Sequence, residues 1–213
     1  MIDLYYLSGS PYAWRVLLAL EHKKLQYKRI DLSFENGDFK SESYLALNPR
    51  GKVPVLVDER VTLYESPAIL EYLEDKYRDS GNNLLPKEVG ERAISRRIIN
   101  EIDVYLDPAS RRLLMATFFT PKEKWNEEKI SKAVESLIRE LKYFDDYFER
   151  SAANGTLSSV EFSMFPIIAL VLRLEKLKSD LGFSQAMSNA LRQWLSALEG
   201  LKLFQTTRPP HWK

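Results

Sequence analysis

Residues 2 to 32 run strand, helix, strand, and that order constrains the fold more than any other feature of the chain. Ile2-Asp3-Leu4-Tyr5-Tyr6-Leu7 is rich in β-formers. Ser8-Gly9-Ser10-Pro11 breaks the run, with a serine suited to a helix N-cap and a proline suited to the first helical position. Ala13, Val16, Leu17 and Leu20 then recur at helical spacing, and Tyr27 to Leu32 reads as a second strand. A βαβ unit of this length implies parallel strands joined by a right-handed crossover.

The next segments extend that unit. Phe34 to Leu47 is polar and mixed, a loop with a short helix. Val53 to Val57 and Val61 to Leu63 flank Asp58-Glu59-Arg60 and read as a hairpin. Ser66-Pro67 opens a helix with the stripe Ile69, Leu70, Leu73 and Tyr77. The order βαβ-ββα closes near residue 78, so residues 1–78 are predicted to form one α/β domain. Residues 79–88, with Ser80-Gly81-Asn82-Asn83 and Pro86, have the composition of a linker. Residues 89–213 carry helical periodicity and no strand pattern. A long helix is predicted over 92–117, bent near Pro108, and a second stripe runs through Ile130, Val134, Leu137, Leu141, Phe144 and Phe148. Residues 158–176, almost wholly apolar from Phe162 to Leu172, are predicted as the buried central helix, and residues 184–198 as another. The fold class is α/β followed by an all-α helical bundle.

Composition narrows the chemistry. Across 213 residues, 31 basic side chains balance 30 acidic ones, which gives no electrostatic pull toward nucleic acid or an anionic membrane. The absence of cysteine removes disulfides, thiolate metal sites and a cysteine nucleophile. His22 and His211 are the only histidines and lie far apart in sequence, so no metal centre is expected. The first residues lack the basic and apolar regions of a signal peptide, and the apolar run from Phe165 to Leu172 is too short to span a bilayer. A soluble, cytoplasmic protein is expected, with neither nucleic acid nor membrane as a partner.

Two segments look built to bind. Asn48-Pro49-Arg50-Gly51-Lys52-Val53-Pro54-Val55-Leu56 sets a Val-Pro bond directly before a short apolar strand. A cis X-Pro bond costs only about 0.5–1 kcal/mol over trans, and an outward-facing amide and carbonyl there can pair with a peptide backbone. A proline at a strand start is also tolerated with no ligand at all. Glu65-Ser66 precedes a helix, whose N-terminus offers N–H groups and positive potential to a carboxylate. Ser66 can add its hydroxyl and Glu65 can accept from an ammonium group, although Ser66 equally suits the plain role of N-cap. Together the two segments match the backbone and charged end of a small acidic peptide.

With these strings the chain resembles the cytosolic glutathione transferases along essentially its whole length. Ser10-Pro11-Tyr12-Ala13-Trp14-Arg15-Val16 is similar to the active-site helix start of their serine-type classes, tau and zeta above all. Asn48-Pro49 through Val55-Leu56 and Glu65-Ser66-x-Ala68-Ile69 are similar to the family's glutathione-binding segments. The resemblance implies a thioredoxin-like first domain, a helical second domain, glutathione as co-substrate and a homodimer. It implies that Val53-Pro54 is cis, that the Val53 backbone pairs with the cysteinyl part of glutathione, and that Glu65 and Ser66 hold the γ-glutamyl end. Lys40 and Lys52 are implied for the glycyl carboxylate, although surface lysines are more often solvated charges. Arg15 is similar to an active-site arginine, or is an exposed helix charge. Glu101 or Asp103 would approach the neighbouring subunit's ligand.

Ser10 is the implied catalytic residue. A free thiol of pKa about 8.5 is only a few per cent ionised at neutral pH, and lowering it by about two units requires roughly 2.7 kcal/mol in favour of the anion. A hydroxyl donor and a helix N-terminus together reach that range, at about 1–2 kcal/mol each. Ser10 would thus stabilise the thiolate rather than act as a nucleophile. The plainer reading is that Ser10 only caps its helix, and Ser8, Tyr5 and Tyr6 are rival hydroxyls. A small apolar electrophile is expected between the domains, lined by Tyr12, Tyr105, Arg112, Met115, Phe119 and Trp212, although such a stripe is more often core. The zeta class places a cysteine where this chain has Tyr12, which argues against maleylacetoacetate isomerisation. The omega class has a cysteine in place of Ser10, which argues against thiol–disulfide exchange. Ser158-x-x-Glu161 fits a capping box. The alternatives are a non-catalytic binding protein of the same family, or a glutathione-dependent lyase, dehalogenase or peroxidase.

Overall fold

In the computed structural model, which describes residues 1–155 and 157–212, the opening pattern becomes β1 (Ile2–Tyr6), α1 (Pro11–His22) and β2 (Tyr27–Asp31). Ser10 is the N-cap of α1, its hydroxyl accepting the Ala13 N–H at 3.4 Å, with Pro11 at the first helical position. The 34–47 stretch folds as a tight 3₁₀ turn at Asp38–Lys40 and α2 (Glu42–Leu47). β3 (Val55–Asp58) and β4 (Val61–Tyr64) form the hairpin, and Glu59 takes a positive φ of 56° in its two-residue turn. α3 (Ser66–Lys76) follows at once. The sheet order is β2-β1-β3-β4, with β1 parallel to β2 and the other pairs antiparallel. This is the thioredoxin-like arrangement.

Alternation along β1 divides its side chains between two faces. Ile2, Leu4 and Tyr6 are buried, while Tyr5 turns the other way and packs on Tyr44 at 5.7 Å, beside Phe39 and Val55.

By packing, the described chain forms two units. The first gathers residues 1–95, 157–166 and the chain from 203 onward; the second holds residues 96–155 and 167–202. The later stretches join the first unit because their aromatic residues surround α1. Trp14 meets Phe165 at 5.6 Å and Trp212 at 5.5 Å, both edge to face, and donates its indole N–H to Thr207 at 2.9 Å. Phe204 packs on Phe165 at 4.5 Å. The 79–88 stretch is fastened to the same unit by a buried ion pair. Lys23 meets Glu74 at 2.9 Å and also donates to the Tyr77 carbonyl, while Glu74 accepts the Leu84 N–H.

The later helices depart from the periodicity in instructive ways. The helix predicted over 92–117 is α4 (Val89–Glu101), a π-helical stretch at Ile102–Leu106, and α5 (Asp107–Ala116). Pro108 has no N–H for the carbonyl four residues back and its ring crowds that turn, so the backbone widens just before it and the Asp107 N–H bonds to Ile102. The stripe from Ile130 to Phe148 is carried by two helices, α6 (Glu127–Lys142) and α7 (Asp145–Asn154), because the chain leaves helical geometry at Phe144. Phe148 then packs on Trp194 at 5.0 Å. α8 (Ser159–Leu177) is the apolar helix expected and carries Pro166 inside it. Where one helix is predicted over 184–198, there is a short α9 (Phe183–Ala186) and then α10 (Asn189–Glu199). Ser188 makes the break: it caps α10 through the Leu191 N–H and donates to Asp145 at 2.6 Å. α11 (Lys202–Thr207) and a 3₁₀ turn at Pro210–Trp212 had no signature in the periodicity. Among the described residues no single helix is long and apolar enough to cross a membrane.

Candidate functional site

Strand register brings the predicted binding segments to one end of the sheet. Tyr5 pairs with Val55, and Val55 pairs with Tyr64. The loop leaving β1 (residues 7–10), the segment entering β3 (Val53-Pro54) and the segment leaving β4 (Glu65-Ser66) therefore emerge side by side. Ser10, Val53, Pro54, Glu65 and Ser66 share that end through sheet geometry alone.

The Val53-Pro54 bond is cis. The β1–β3 ladder starts only at Val55, so Val53 lies outside it. The approach to Val53 is held from below: the Lys52 carbonyl accepts from the Tyr44 hydroxyl and from the Asn48 side-chain amide, each at 2.7 Å. Gly51 has φ +58°, and a Cβ there would stand 2.8 Å from the Phe39 carbonyl, so only glycine fits. That contact brings the Phe39-Lys40 turn against Gly51-Lys52. Both lysine side chains are exposed.

At the start of α3 the structure departs from the expected cap. Glu65, not Ser66, occupies the N-cap position, with φ 69° and ψ 104° and no side-chain cap bond; its side chain is exposed. Ser66 is the first helical residue and is buried, and its hydroxyl accepts from Arg15 Nη1 at 3.2 Å. Arg15 is accordingly not an exposed helix charge: it is 1% exposed, with its guanidinium 5.6 Å from the centre of the Tyr12 ring.

The four hydroxyls differ in what they already do. Tyr6 is buried, and burial raises its phenol above the ordinary tyrosine value even against the neighbouring Arg29 guanidinium and the nearby Ser8 hydroxyl. Ser8 Oγ also lies 3.2 Å from His211 Nδ1. Tyr5 packs in the Tyr44 cluster on the opposite face. Ser10 Oγ accepts a long bond from Ala13, and among the described residues no acceptor takes its proton. His211 is the contributor that the sequence did not disclose, for it stands 203 positions from its partner and belongs to no local pattern.

The remaining candidates divide between the two units. In the first, Tyr12 is half-buried in the opening turn of α1, and Trp212 is buried edge-on against Trp14. In the second, Arg112 and Met115 line an open groove of about 1030 Å³, together with Pro108, Lys124, Lys129 and Ala133. Arg112 also donates to Ser136 at 3.0 Å. Tyr105 and Phe119 are exposed on that unit and lie outside the groove's lining. Among the described residues no group of three or more histidine, cysteine or acidic side chains is placed to hold a metal ion.

Comparison with known proteins places the chain in a family. Residues 9–76 match the family model described as Glutathione S-transferase, N-terminal domain. The zeta-class glutathione S-transferase of Euphorbia esula is 30% identical over 207 residues, covering 87% of this chain and 89% of that protein. Glutathione S-transferase A of Pleuronectes platessa is 29% identical over 210 residues, covering 96% of this chain and 90% of that one. The crystal structure of a glutathione S-transferase from the Antarctic clam Laternula elliptica matches with a TM-score of 0.79 at 28% identity, over 99% of this chain and 93% of the clam protein. The chain belongs to the glutathione S-transferase family. It is a transferase enzyme, and that membership supports glutathione as its substrate.

Proposed function

We propose that this enzyme is a serine-type glutathione S-transferase in which Ser10 stabilises the thiolate of bound glutathione for attack on small apolar electrophiles. The observation that carries the reading is the hydroxyl of Ser10. It caps α1 through the Ala13 N–H while its own proton has no acceptor among the described residues. A hydroxyl that accepts from a helix N-terminus is polarised to donate, and an anion beside it also meets the positive end of the helix. Ser8 is already engaged by His211 at 3.2 Å, which favours Ser10 over its nearest rival.

In this reading residues 1–78 bind glutathione. The Val53 backbone beside the cis Pro54 pairs with the cysteinyl unit. Glu65 accepts from the γ-glutamyl ammonium, while Ser66, whose oxygen already takes the Arg15 proton, donates its own to the γ-glutamyl carboxylate. Lys40 and Lys52 serve the glycyl carboxylate. The thiol proton passes to solvent, the thiolate sulfur forms a bond to the electrophilic carbon, and a leaving group departs or the adduct takes up a proton. Most of the rate gain then comes from the lowered thiol pKa and from proximity. On the second unit, the electrophile's surroundings are proposed to come from Tyr105, Arg112, Met115 and Phe119. Likeness to a zeta-class enzyme supports the serine type, and the protein is proposed to act as a cytoplasmic homodimer.

The test is retention on immobilised glutathione followed by chlorodinitrobenzene conjugation with the wild type and Ser10→Ala. Retention by both, with turnover lost in Ser10→Ala, is the expected result. Binding without turnover by the wild type would make the chain a non-catalytic binder. Turnover that survives Ser10→Ala and fails in Ser8→Ala or Tyr5→Phe would move the catalytic role to those hydroxyls.

A further inference from the structure

The loop that carries Ser10 is closed from outside by the end of the chain. Ser8 Oγ and His211 Nδ1 are 3.2 Å apart. Between Ser8 and Ser10, Gly9 has φ +92°, and a Cβ there would stand 3.2 Å from His211 Nε2 and 3.4 Å from the Trp212 indole nitrogen. The imidazole therefore lies close against the backbone of the loop, and a Cβ at Gly9 would have to push it back. The tail that delivers it is itself fixed. Trp212 is buried edge-on against Trp14, its N–H bonds to the Pro209 carbonyl, and Thr207 takes the Trp14 indole proton at 2.9 Å.

A serine hydroxyl has one proton to give and room to accept. With His211 Nδ1 3.2 Å from its oxygen, Ser8 is tied to the tail. Ser10 follows two residues later across a turn closed by its own N–H to the Leu7 carbonyl at 3.1 Å. Gly9, the most permissive residue in backbone terms, would otherwise let that turn wander. Positional error of about 1 Å in a catalytic group can cost on the order of a hundredfold in rate.

We propose that His211 is a positioning residue for the transferase reaction: by engaging Ser8 and packing on Gly9 it fixes the turn that aims the Ser10 hydroxyl at the thiolate. The proposal rests on the reading of Ser10 given above. His211 touches neither the thiol nor the electrophile in this role; it acts through the loop.

The test is a double-mutant cycle on the full-length enzyme with reduced glutathione and chlorodinitrobenzene. It compares the wild type, His211→Ala, Ser8→Ala and the double variant, reading kcat, both KM values and the ultraviolet absorbance of bound thiolate. His211 is exposed, so the melting temperature should hold and report folding separately. Each single variant is expected to lose about tenfold in kcat with weaker thiolate absorbance, and the double variant no more than either. His211→Asn, which keeps a hydrogen-bonding atom near the place of Nδ1, is expected to recover most of the loss, an outcome that lost packing alone would not give. Unchanged kcat and thiolate absorbance in His211→Ala would overturn the proposal, as would losses that multiply in the double variant. A far larger loss in Ser8→Ala than in His211→Ala would overturn it too, making Ser8 the thiolate's donor. Ser10→Ala is run alongside. Full turnover there defeats the Ser10 reading itself, whereas a slow Ser10→Ala beside a fully active His211→Ala defeats only the role of His211.

Discussion

Arg15 Nη1 donates to Ser66 Oγ across 3.2 Å, tying α1 to the first residue of α3. Because Arg15 supplies the proton, the hydroxyl of Ser66 keeps its own proton to give to a carboxylate. The buried guanidinium adds positive charge behind it. Hydrogen bonds to charged groups are worth about 1.5–3 kcal/mol, or roughly a ten- to hundredfold change in an equilibrium constant. Arg15→Leu is therefore expected to raise the dissociation constant for glutathione by at least about tenfold, measured by titration calorimetry. Arg15→Lys should not restore it, since an ammonium lacks the planar fork of the guanidinium. Unaltered affinity in Arg15→Leu would reduce Arg15 to a structural side chain.

The two jobs assigned to Ser10 separate in Ser10→Asp. A carboxylate caps a helix as well as a hydroxyl does and favours the helix dipole, so the melting temperature should hold or rise. The same carboxylate repels a thiolate and donates nothing at neutral pH. Conjugation by Ser10→Asp is expected to fall below that of Ser10→Ala, while Ser10→Ala alone loses about 1 kcal/mol of stability. Equal rates in the two variants would argue that Ser10 serves the helix and not the thiolate.

Glu161 gives a stability prediction with no catalytic component. Its Oε2 accepts from the Ser158 N–H at 2.8 Å and from the Ser158 hydroxyl at 2.7 Å, at the buried entry to α8. Glu161→Ala leaves both donors without their acceptor and is expected to cost about 1–3 kcal/mol in urea unfolding. Glu161→Gln, which keeps one acceptor oxygen, should cost less. Specific activity per folded molecule should be the same in all three proteins, and a change in it would give Glu161 a part in the site.

That contact was legible in the sequence because its partners are three residues apart, as were the Ser10 cap and the strands that Val53-Pro54 and Glu65-Ser66 adjoin. What the sequence hid is non-local or is local strain. Ser66 looked like an N-cap, yet Glu65 takes that place with φ 69°, and the partner of Ser66 lies 51 residues away on α1. The sequence leaves Arg15 open between an active-site arginine and an exposed charge because helical periodicity alone cannot show which polar residue another helix will bury. The apolar spacing from Ile130 to Phe148 runs straight through a helix break at Phe144, since a stripe can stay in phase across a turn. The contact between Ser8 and His211 has no local signal at all.

Asp58 should set part of the acid limit of the fold. Its carboxylate ends β3 and is buried beneath Lys76 at 2.8 Å, Tyr77 at 2.6 Å and Tyr72 at 3.0 Å. Burial alone would push the carboxyl up, but the hydrogen bonds from Lys76, Tyr77 and Tyr72 outweigh it and hold Asp58 below its ordinary value. Burial, with the bond to Asp58 next, pushes the Tyr77 phenol the other way, up to about 12. In the unfolded chain Asp58 titrates near about 3.9. Between that value and the lower folded one, the unfolded chain binds the extra proton, so stability falls as the pH falls. The contribution is fully present above the unfolded pKa and is lost as the pH drops through the folded value. Asp58→Asn lacks this titration and leaves its donors poorly matched, at a cost of about 1–3 kcal/mol near neutrality. The gap between wild type and Asp58→Asn in urea unfolding is therefore expected to be widest near neutral pH and to narrow below about pH 4. A gap of constant size across that range would mean that the Asp58 charge contributes nothing to the cluster's stability.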